Sequence, residues 1–302
     1  MRAPATLLNG ETLERLERLT IRWTQSFQGR IGGEIVSRYP GVGHEFLDHR
    51  NFQRGDDLRA VNWRAYMRLE RMFLKLFRSE PRIPVRILID TSESMAVGSE
   101  DATGAKFAYA CRLAAALCYV GLVRLETIVL QPFSDTLSES FQAYGGRLRY
   151  AKAAEYISRL ATGGGTAFQR PVRDYVMKFP VAGITFVLSD FLNADEDHLP
   201  LRHLVDQGHE VLLLQISSPA DREPPWRGDL ELFDAETDAV LRVSLDDRLA
   251  GEYRDAYDRY CRSLEHHAKR SGAQYLHLST SAPIESALFR ELPATRQATG
   301  QQ

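Results

Sequence analysis

Val85-Arg86-Ile87-Leu88-Ile89-Asp90-Thr91-Ser92-Glu93-Ser94-Met95 is the stretch that decides the fold. A short apolar run that ends in an aspartate reads as a buried strand, and the hydroxyls two and four positions beyond it follow the strand's end. Such a strand delivers oxygen-bearing side chains to the carboxyl edge of a sheet, where open α/β sheets bind their ligands.

Outward from this point the chain alternates between helix and strand periodicity. A helix is predicted from about Ala105 to Val123, a strand around Thr127 to Gln131, and a hairpin around Leu137 to Tyr144. A helix from about Leu148 to Leu160, a Gly163-Gly164-Gly165-Thr166 loop and a helix beginning near Gln169 come next. The strand Ile184 to Ser189 then ends at Asp190. A helix near Leu199 to Gln207 precedes the strand Glu210 to Ile216, whose unbroken Val-Leu-Leu-Leu core suits a central parallel strand covered on both faces. Residues 219–244 break the rhythm with Pro224-Pro225 and Leu230-Glu231-Leu232-Phe233-Asp234, a turn and a β-hairpin outside the sheet. A helix from about Asp247 to Ser271, a strand at Gln274 to Leu278 and a short helix from about Pro283 complete the pattern. This predicts an α/β fold with a doubly wound, mostly parallel sheet over 83–293. A small N-terminal α+β element over 1–82 precedes it, and a flexible tail, 294–302, follows.

Within the N-terminal element, Asn9 can cap a helix whose Leu13, Leu16, Leu19 and Trp23 share one face, a stripe that would dock on the body. Residues 29–51 lack helical periodicity. Asp56-Asp57 ahead of Leu58-Arg59-Ala60-Val61-Asn62-Trp63 reads as a capped helix start.

Composition narrows the classes of function. With 38 Lys and Arg against 40 Asp and Glu there is no bulk basic field to draw the chain to nucleic acid or anionic membranes. The three cysteines, Cys111, Cys118 and Cys261, include no Cys-x-x-Cys pair and read as free thiols in a reducing compartment. The N-terminus lacks the apolar core of a secretion signal, and the apolar run Leu113 to Val123 is about half of the ~20 residues a spanning helix requires. The expectation is a soluble, cytoplasmic protein without a membrane span.

Asp90, Ser92, Ser94, Thr166 and Asp190 form an all-oxygen set, two carboxylates and three hydroxyls. Such donors suit Mg2+ or Mn2+ and not zinc, which prefers Cys and His. An Asp-x-Ser-x-Ser run by itself can be a helix N-cap with Ser94 as the capping hydroxyl. Here the apolar strand before it, the glycine loop carrying Thr166 and the second strand-ending Asp190 arrive in the order a metal site needs.

Ile87 to Met95, with Thr166 and Asp190, resembles the opening and remaining ligands of a von Willebrand factor A domain with its metal-ion-dependent adhesion site. That resemblance implies a Rossmann-like sheet in which the Ser and Thr hydroxyls contact the metal and the two aspartates act largely through water. It also implies a coordination position left for a partner's carboxylate.

Upstream, Gly41-Val42-Gly43-His44-Glu45-Phe46-Leu47-Asp48-His49-Arg50-Asn51-Phe52-Gln53-Arg54-Gly55-Asp56-Asp57-Leu58-Arg59-Ala60-Val61-Asn62-Trp63 resembles the DUF58 signature, G-x-G-x-E-F-x-x-x-R-x-Y-x-x-G-D-D-x-R-x-I-D-W. Together the resemblances cover about Phe27 to Leu292. Phe52 departs from the usual Tyr, and Asn62 replaces an Asp whose charge was available to Arg59 or Arg68. The resemblance implies a protein-interaction module, not an enzyme, partnered by a MoxR-type AAA+ ATPase or its client in complex maturation or assembly.

Glu45, Asp48, Arg50, Arg54, Asp56, Asp57 and Arg59 read as a structural ion-pair network. The alternative is a metal-dependent hydrolase or phosphotransferase with Asp56 or Asp57 as base. Arg64, Arg68, Arg71, Lys75 and Arg78, interrupted by apolar residues, read as a solvated face and not a nucleic-acid stripe. His266-His267 reads as a solvated pair, and Gly163-Gly164-Gly165 lacks the Gly-Lys-Ser/Thr of a phosphate loop.

Overall fold

Val85 to Asp90, buried along its whole length, is the strand on which the sheet is built. The computed structural model describes residues 7–17, 45–53, 58, 61–78, 84–97, 106–124, 126–192, 200–234 and 239–292. It divides the chain into one unit of Gln25–Arg82 and another of Met1–Thr24 with Ile83–Gln302. Helix α1 (10–17), expected within the 1–82 element, therefore groups with the larger unit. The Asn9 side chain caps it by accepting the Thr12 amide at 2.7 Å. Leu16 is buried, the Thr12 hydroxyl donates to Glu285 at 3.1 Å, and Glu17 accepts from Tyr119 at 2.6 Å and Arg147 at 3.0 Å. Leu19 and Trp23 lie outside the described residues.

In the smaller unit, β1 (Glu45–Asn51) pairs antiparallel with β2 (Phe73–Arg78), with a register shift between Phe46 and Asp48. Glu45 to Asn51 lacks clean alternation, which is why its sequence did not read as a strand. The helix start expected at Asp56-Asp57 lies outside the described residues, and a helix α2 follows at Trp63–Leu69. Its cap is Asn62, whose side-chain oxygen accepts the Ala65 amide at 3.3 Å. Asn caps a helix as well as Asp does, so the departure at this position keeps the cap and loses only the charge. Arg64, Arg68 and Arg71 are solvent-exposed, and the side chains of Lys75 and Arg78 lie outside the described residues.

The larger unit has a six-stranded sheet in the order β10-β7-β6-β3-β4-β5. Its strands are β3 (Val85–Asp90), β4 (Thr127–Phe133), β5 (Phe141–Tyr144), β6 (Ile184–Ser189), β7 (Glu210–Ser217) and β10 (Gln274–Ser279). All neighbours are parallel except the β4 and β5 edge pair. The expected doubly wound, mostly parallel sheet is present in this form. β4 lies on one side of β3, and the chain then crosses to β6 on the other, so the winding reverses at β3. Parallel strands covered on both faces need continuous apolar character, and Ile87, Leu88, Ile89, Phe186, Val187, Leu212, Leu213 and Leu214 supply it.

On one face α5 (Gln169–Lys178), α6 (Leu201–Asp206) and α8 (Asp247–Arg270) close a core of Leu88, Phe133, Phe168, Tyr175, Val187, Phe191, Leu204, Leu213 and Leu264. Each fully buried side chain of this size contributes roughly 2 kcal/mol. On the other side α3 (Lys106–Val123) packs with α4 (Tyr150–Ser158). By length and composition α3 is apolar enough to cross a membrane, yet most of it is buried inside the domain. A core helix that is apolar all round passes the same test. Cys111 and Cys118 are free and buried within it.

The insertion expected over 219–244 is a short helix α7 (Pro219–Arg222) and a separate antiparallel hairpin, β8 (Gly228–Phe233) with β9 (Val240–Leu245). The chain beyond β10 forms α9 (Ile284–Ser286) and a wider helical turn, Ala287–Glu291.

Candidate metal centre

Asp90 is the last residue of β3, the central strand at which the winding reverses, and a cleft at this edge is where such sheets bind ligands. Parallel pairing sets Ile89 opposite Leu188, bringing Asp90 level with Ser189 and leaving Asp190 one residue further along the same edge. Asp90 is fully buried. One carboxylate oxygen accepts the Ser92 amide at 2.9 Å and the other accepts the Ser189 hydroxyl at 2.5 Å. Burial pushes its carboxyl up to about 6; the Ser189 hydrogen bond opposes this and the nearby Asp190 charge adds to it.

Beyond Asp90 the backbone turns through a 3-10 segment, Glu93–Ala96, with Met95 buried beneath it. The turn sets the Ser92 and Ser94 hydroxyls 3.0 Å apart, Ser92 buried and Ser94 half-buried. The Thr91 hydroxyl donates to the Phe133 carbonyl at 2.9 Å and so fastens the loop to β4.

Two backbone bonds join the glycine loop to this turn: the Gly163 amide to the Thr91 carbonyl at 2.8 Å, and the Glu93 amide to the Gly164 carbonyl at 3.0 Å. Gly164 takes φ +82°, a left-handed conformation that glycine adopts without strain. Half-buried Thr166 follows two residues beyond Gly164 in this loop.

Asp190 is also buried, and its immediate partner is a lysine the sequence reading had not singled out. Lys106 donates to Asp190 Oδ2 at 2.7 Å and lies 3.5 Å from Asp221 Oδ1, with only 1% of its side chain exposed. Asp190 Oδ1 accepts the Leu192 amide at 3.2 Å, and its carbonyl accepts Gln215 at 3.1 Å. The next residue, Phe191, has φ +54°, an uncommon conformation for a bulky side chain, held by its ring stacked on Phe168 at 5.5 Å and a hydrogen bond from Tyr260.

The structure thus brings Asp90, Ser92, Ser94 and Asp190 to one edge, with the Thr166 loop stitched to it and Ser189, Lys106 and Asp221 behind. A lysine at the head of a helix with no polar face was the one visible sign of Lys106. Ser189 and Asp221 carried no such sign. Among the described residues no group of three or more His, Cys, Asp or Glu could hold a metal. The donors here are hydroxyls and paired carboxylates, which fit a hard, partly hydrated cation. Asp90 and Asp190 keep lone pairs for water, but Asp190 already faces an ammonium. His266 is exposed on α8 but its neighbour His267 is half-buried, so the two do not form the solvated pair expected.

Of the expected ion-pair network, Arg54, Asp56, Asp57 and Arg59 lie outside the described residues. Glu45 and Asp48 lie on β1, and the Arg50 guanidinium donates to the Asn51 carbonyl at 3.4 Å.

A family model described as "Protein of unknown function DUF58" matches residues 48–267. The "Uncharacterized protein Rv1480" of Mycobacterium tuberculosis is 25% identical over 97% of this chain and 94% of its own length, as is "Uncharacterized protein Mb1516" of Mycobacterium bovis. Among solved structures, BatB from Bacteroides thetaiotaomicron is similar over 72% of this chain and 98% of its own, at 16% identity and a TM-score of 0.41. An aerotolerance-related membrane protein from Bacteroides fragilis is similar over 70% and 99%, at 17% identity and a TM-score of 0.40. With the family model spanning well over half of its length, the chain belongs to the DUF58 family.

Proposed function

We propose that this protein is a non-enzymatic interaction module of the von Willebrand factor A kind, which uses a Mg2+-type ion at the β3 edge to take an acidic side chain of a partner protein. The observation that carries this reading is the pair of Ser92 and Ser94 hydroxyls, 3.0 Å apart beyond buried Asp90 at the winding reversal. Asp90 orients Ser92 through its amide, and Ser189 fixes the other Asp90 oxygen. Ser94 and Thr166 are each half-buried. A divalent cation with an incomplete protein shell supplies a charge-assisted anchor for a carboxylate. By the sequence resemblance, the partner we propose is a MoxR-type AAA+ ATPase or its client, with the pair acting in complex maturation. A reducing, cytoplasmic setting agrees with the three free thiols.

The test compares wild type with a Ser92→Ala, Ser94→Ala double variant. Mn2+ binding is read by electron paramagnetic resonance, and partner capture is read with Mg2+ or with chelator. The variant should stay folded, since each substitution removes only a hydroxyl and leaves the Ser92 amide bond to Asp90 in place. It should lose Mn2+ binding and, with chelated wild type, partner recovery. Equal recovery in all four conditions would falsify metal-mediated binding.

A further inference from the structure

Lys106 is out of place on stability grounds, because an ammonium with 1% of its side chain exposed must be paid for by its partners. Its partners are two carboxylates: Asp190, a candidate metal ligand, at 2.7 Å, and Asp221, just beyond β7, at 3.5 Å. Asp190 in turn directly follows Ser189, whose hydroxyl donates to Asp90 at 2.5 Å, so the two aspartates are neighbours at this edge. Without any cation this edge would place two neighbouring buried aspartates together with Asp221, an arrangement that strongly disfavours the folded state.

We propose that Lys106 is the resident cation of this site: a positioning residue that holds Asp190 when no metal is bound, and that keeps metal affinity modest so that the ion exchanges. The proposal rests on the metal-binding reading above and adds the element that tunes it. The ammonium compensates one of the two site carboxylates permanently. A divalent ion therefore enters an edge that is already partly neutralised, and it is bound more weakly than two bare carboxylates would bind it. The same ammonium faces Asp221 on α7, whose other oxygen accepts the Ser218 amide at 2.7 Å, so the β6 and β7 ends share one charge.

The test is Lys106→Met, which keeps an unbranched side chain one atom shorter and removes the charge. Melting temperature is measured with chelator and with saturating Mn2+, and Mn2+ affinity is measured by calorimetry. The metal-free variant should melt below wild type, Mn2+ should restore most of the loss, and Mn2+ should bind about tenfold or more tightly, as expected for deleting one nearby like charge. A merely structural lysine would give the same melting loss with and without Mn2+ and an unchanged affinity, which overturns the proposal. Should Lys106→Met fail to fold, the Lys106→Met, Asp190→Asn double variant has no unpaired charge at this contact. It should bind Mn2+ more tightly than Asp190→Asn alone, and equal affinity overturns the proposal. A wild type that binds no Mn2+ beside a Lys106→Met protein that does would support Lys106 as resident cation and overturn the metal reading of the native protein. If no variant binds Mn2+, both ideas fall.

Discussion

At the scale of single residues, the cost of disturbing the buried Arg86 and His209 pair can be read from its partners. Arg86, on β3 and 3% exposed, places its guanidinium 5.2 Å from the Phe179 ring centroid, 2.7 Å from the Val181 carbonyl and 3.3 Å from His209 Nδ1. The last contact requires His209 to accept at Nδ1, and burial together with the Arg86 charge holds its pKa below the ordinary 6.5. The neutral imidazole is thus favoured in the fold while the unfolded chain takes a proton near 6.5. The stability His209 contributes is complete above that pH and is lost as pH falls below it toward the depressed folded value. Asp90 acts with the opposite sign: its raised pKa, about 6 against 3.8, means that protonation favours the native state. The two are separated by comparing urea midpoints of wild type and His209→Gln between pH 7.5 and 5. Gln still accepts from Arg86, so the variant should lose less stability on acidification. An equal loss in both proteins would remove His209 from the account.

At the scale of elements, the site depends on the alignment of β3 with β6, and that alignment begins at Gly183. A Cβ there would lie 2.4 Å from the Pro84 carbonyl oxygen and 2.7 Å from the Arg86 guanidinium. The Pro84 oxygen cannot move freely, because it accepts the Ile184 amide at 2.9 Å and so starts the β3–β6 ladder. Gly183→Ala should destabilise by about 1–3 kcal/mol, the range for forcing extra atoms into close-packed backbone. Chemical denaturation measures this directly, and a change below ~0.5 kcal/mol would show that the strand ends slide apart easily. At this scale the chain was largely legible: Ile184–Ser189 was bounded to the residue, and β7, α3 and α8 fell within one or two residues, because long apolar runs and amphipathic faces specify themselves. β1 was not legible, since Glu45-Phe46-Leu47-Asp48-His49-Arg50-Asn51 is a strand by virtue of pairing with β2 and not of its own pattern.

For the whole molecule, the β8–β9 hairpin is an appendage by every structural measure. It forms its own two-stranded sheet, and Leu232, Phe233, Val240 and Leu241 are exposed. It is tied at its root by buried Leu245 and by Arg227, which lies 3.3 Å from Asp247. Gly228 pairs with Leu245, so the two ends already sit side by side. Replacing residues 229–244 with a short Gly-Ser link should leave Mn2+ binding unchanged and the melting temperature within a few degrees, since closing a loop of changed length costs only fractions of a kcal/mol. Loss of the cooperative transition would show instead that the hairpin is part of the core.

Asp90-Thr91-Ser92-Glu93-Ser94 was legible as an edge motif because strand, aspartate and hydroxyl spacing are local properties, as is the glycine that turns the loop before Thr166. The sequence by itself determined the order of strands and helices, and hence the doubly wound class of sheet, because burial on both faces writes itself into apolar runs. Only the tertiary structure decided that Lys106, 84 residues away along the chain, would hold Asp190, and that Ser189 would hold Asp90. It also decided that α1 would group with the larger unit and not with the element that follows it. The physical reason is the same in each case. A buried charge or hydroxyl is specified by whichever partner the fold brings within about 3 Å, and nothing in the local pattern names that partner.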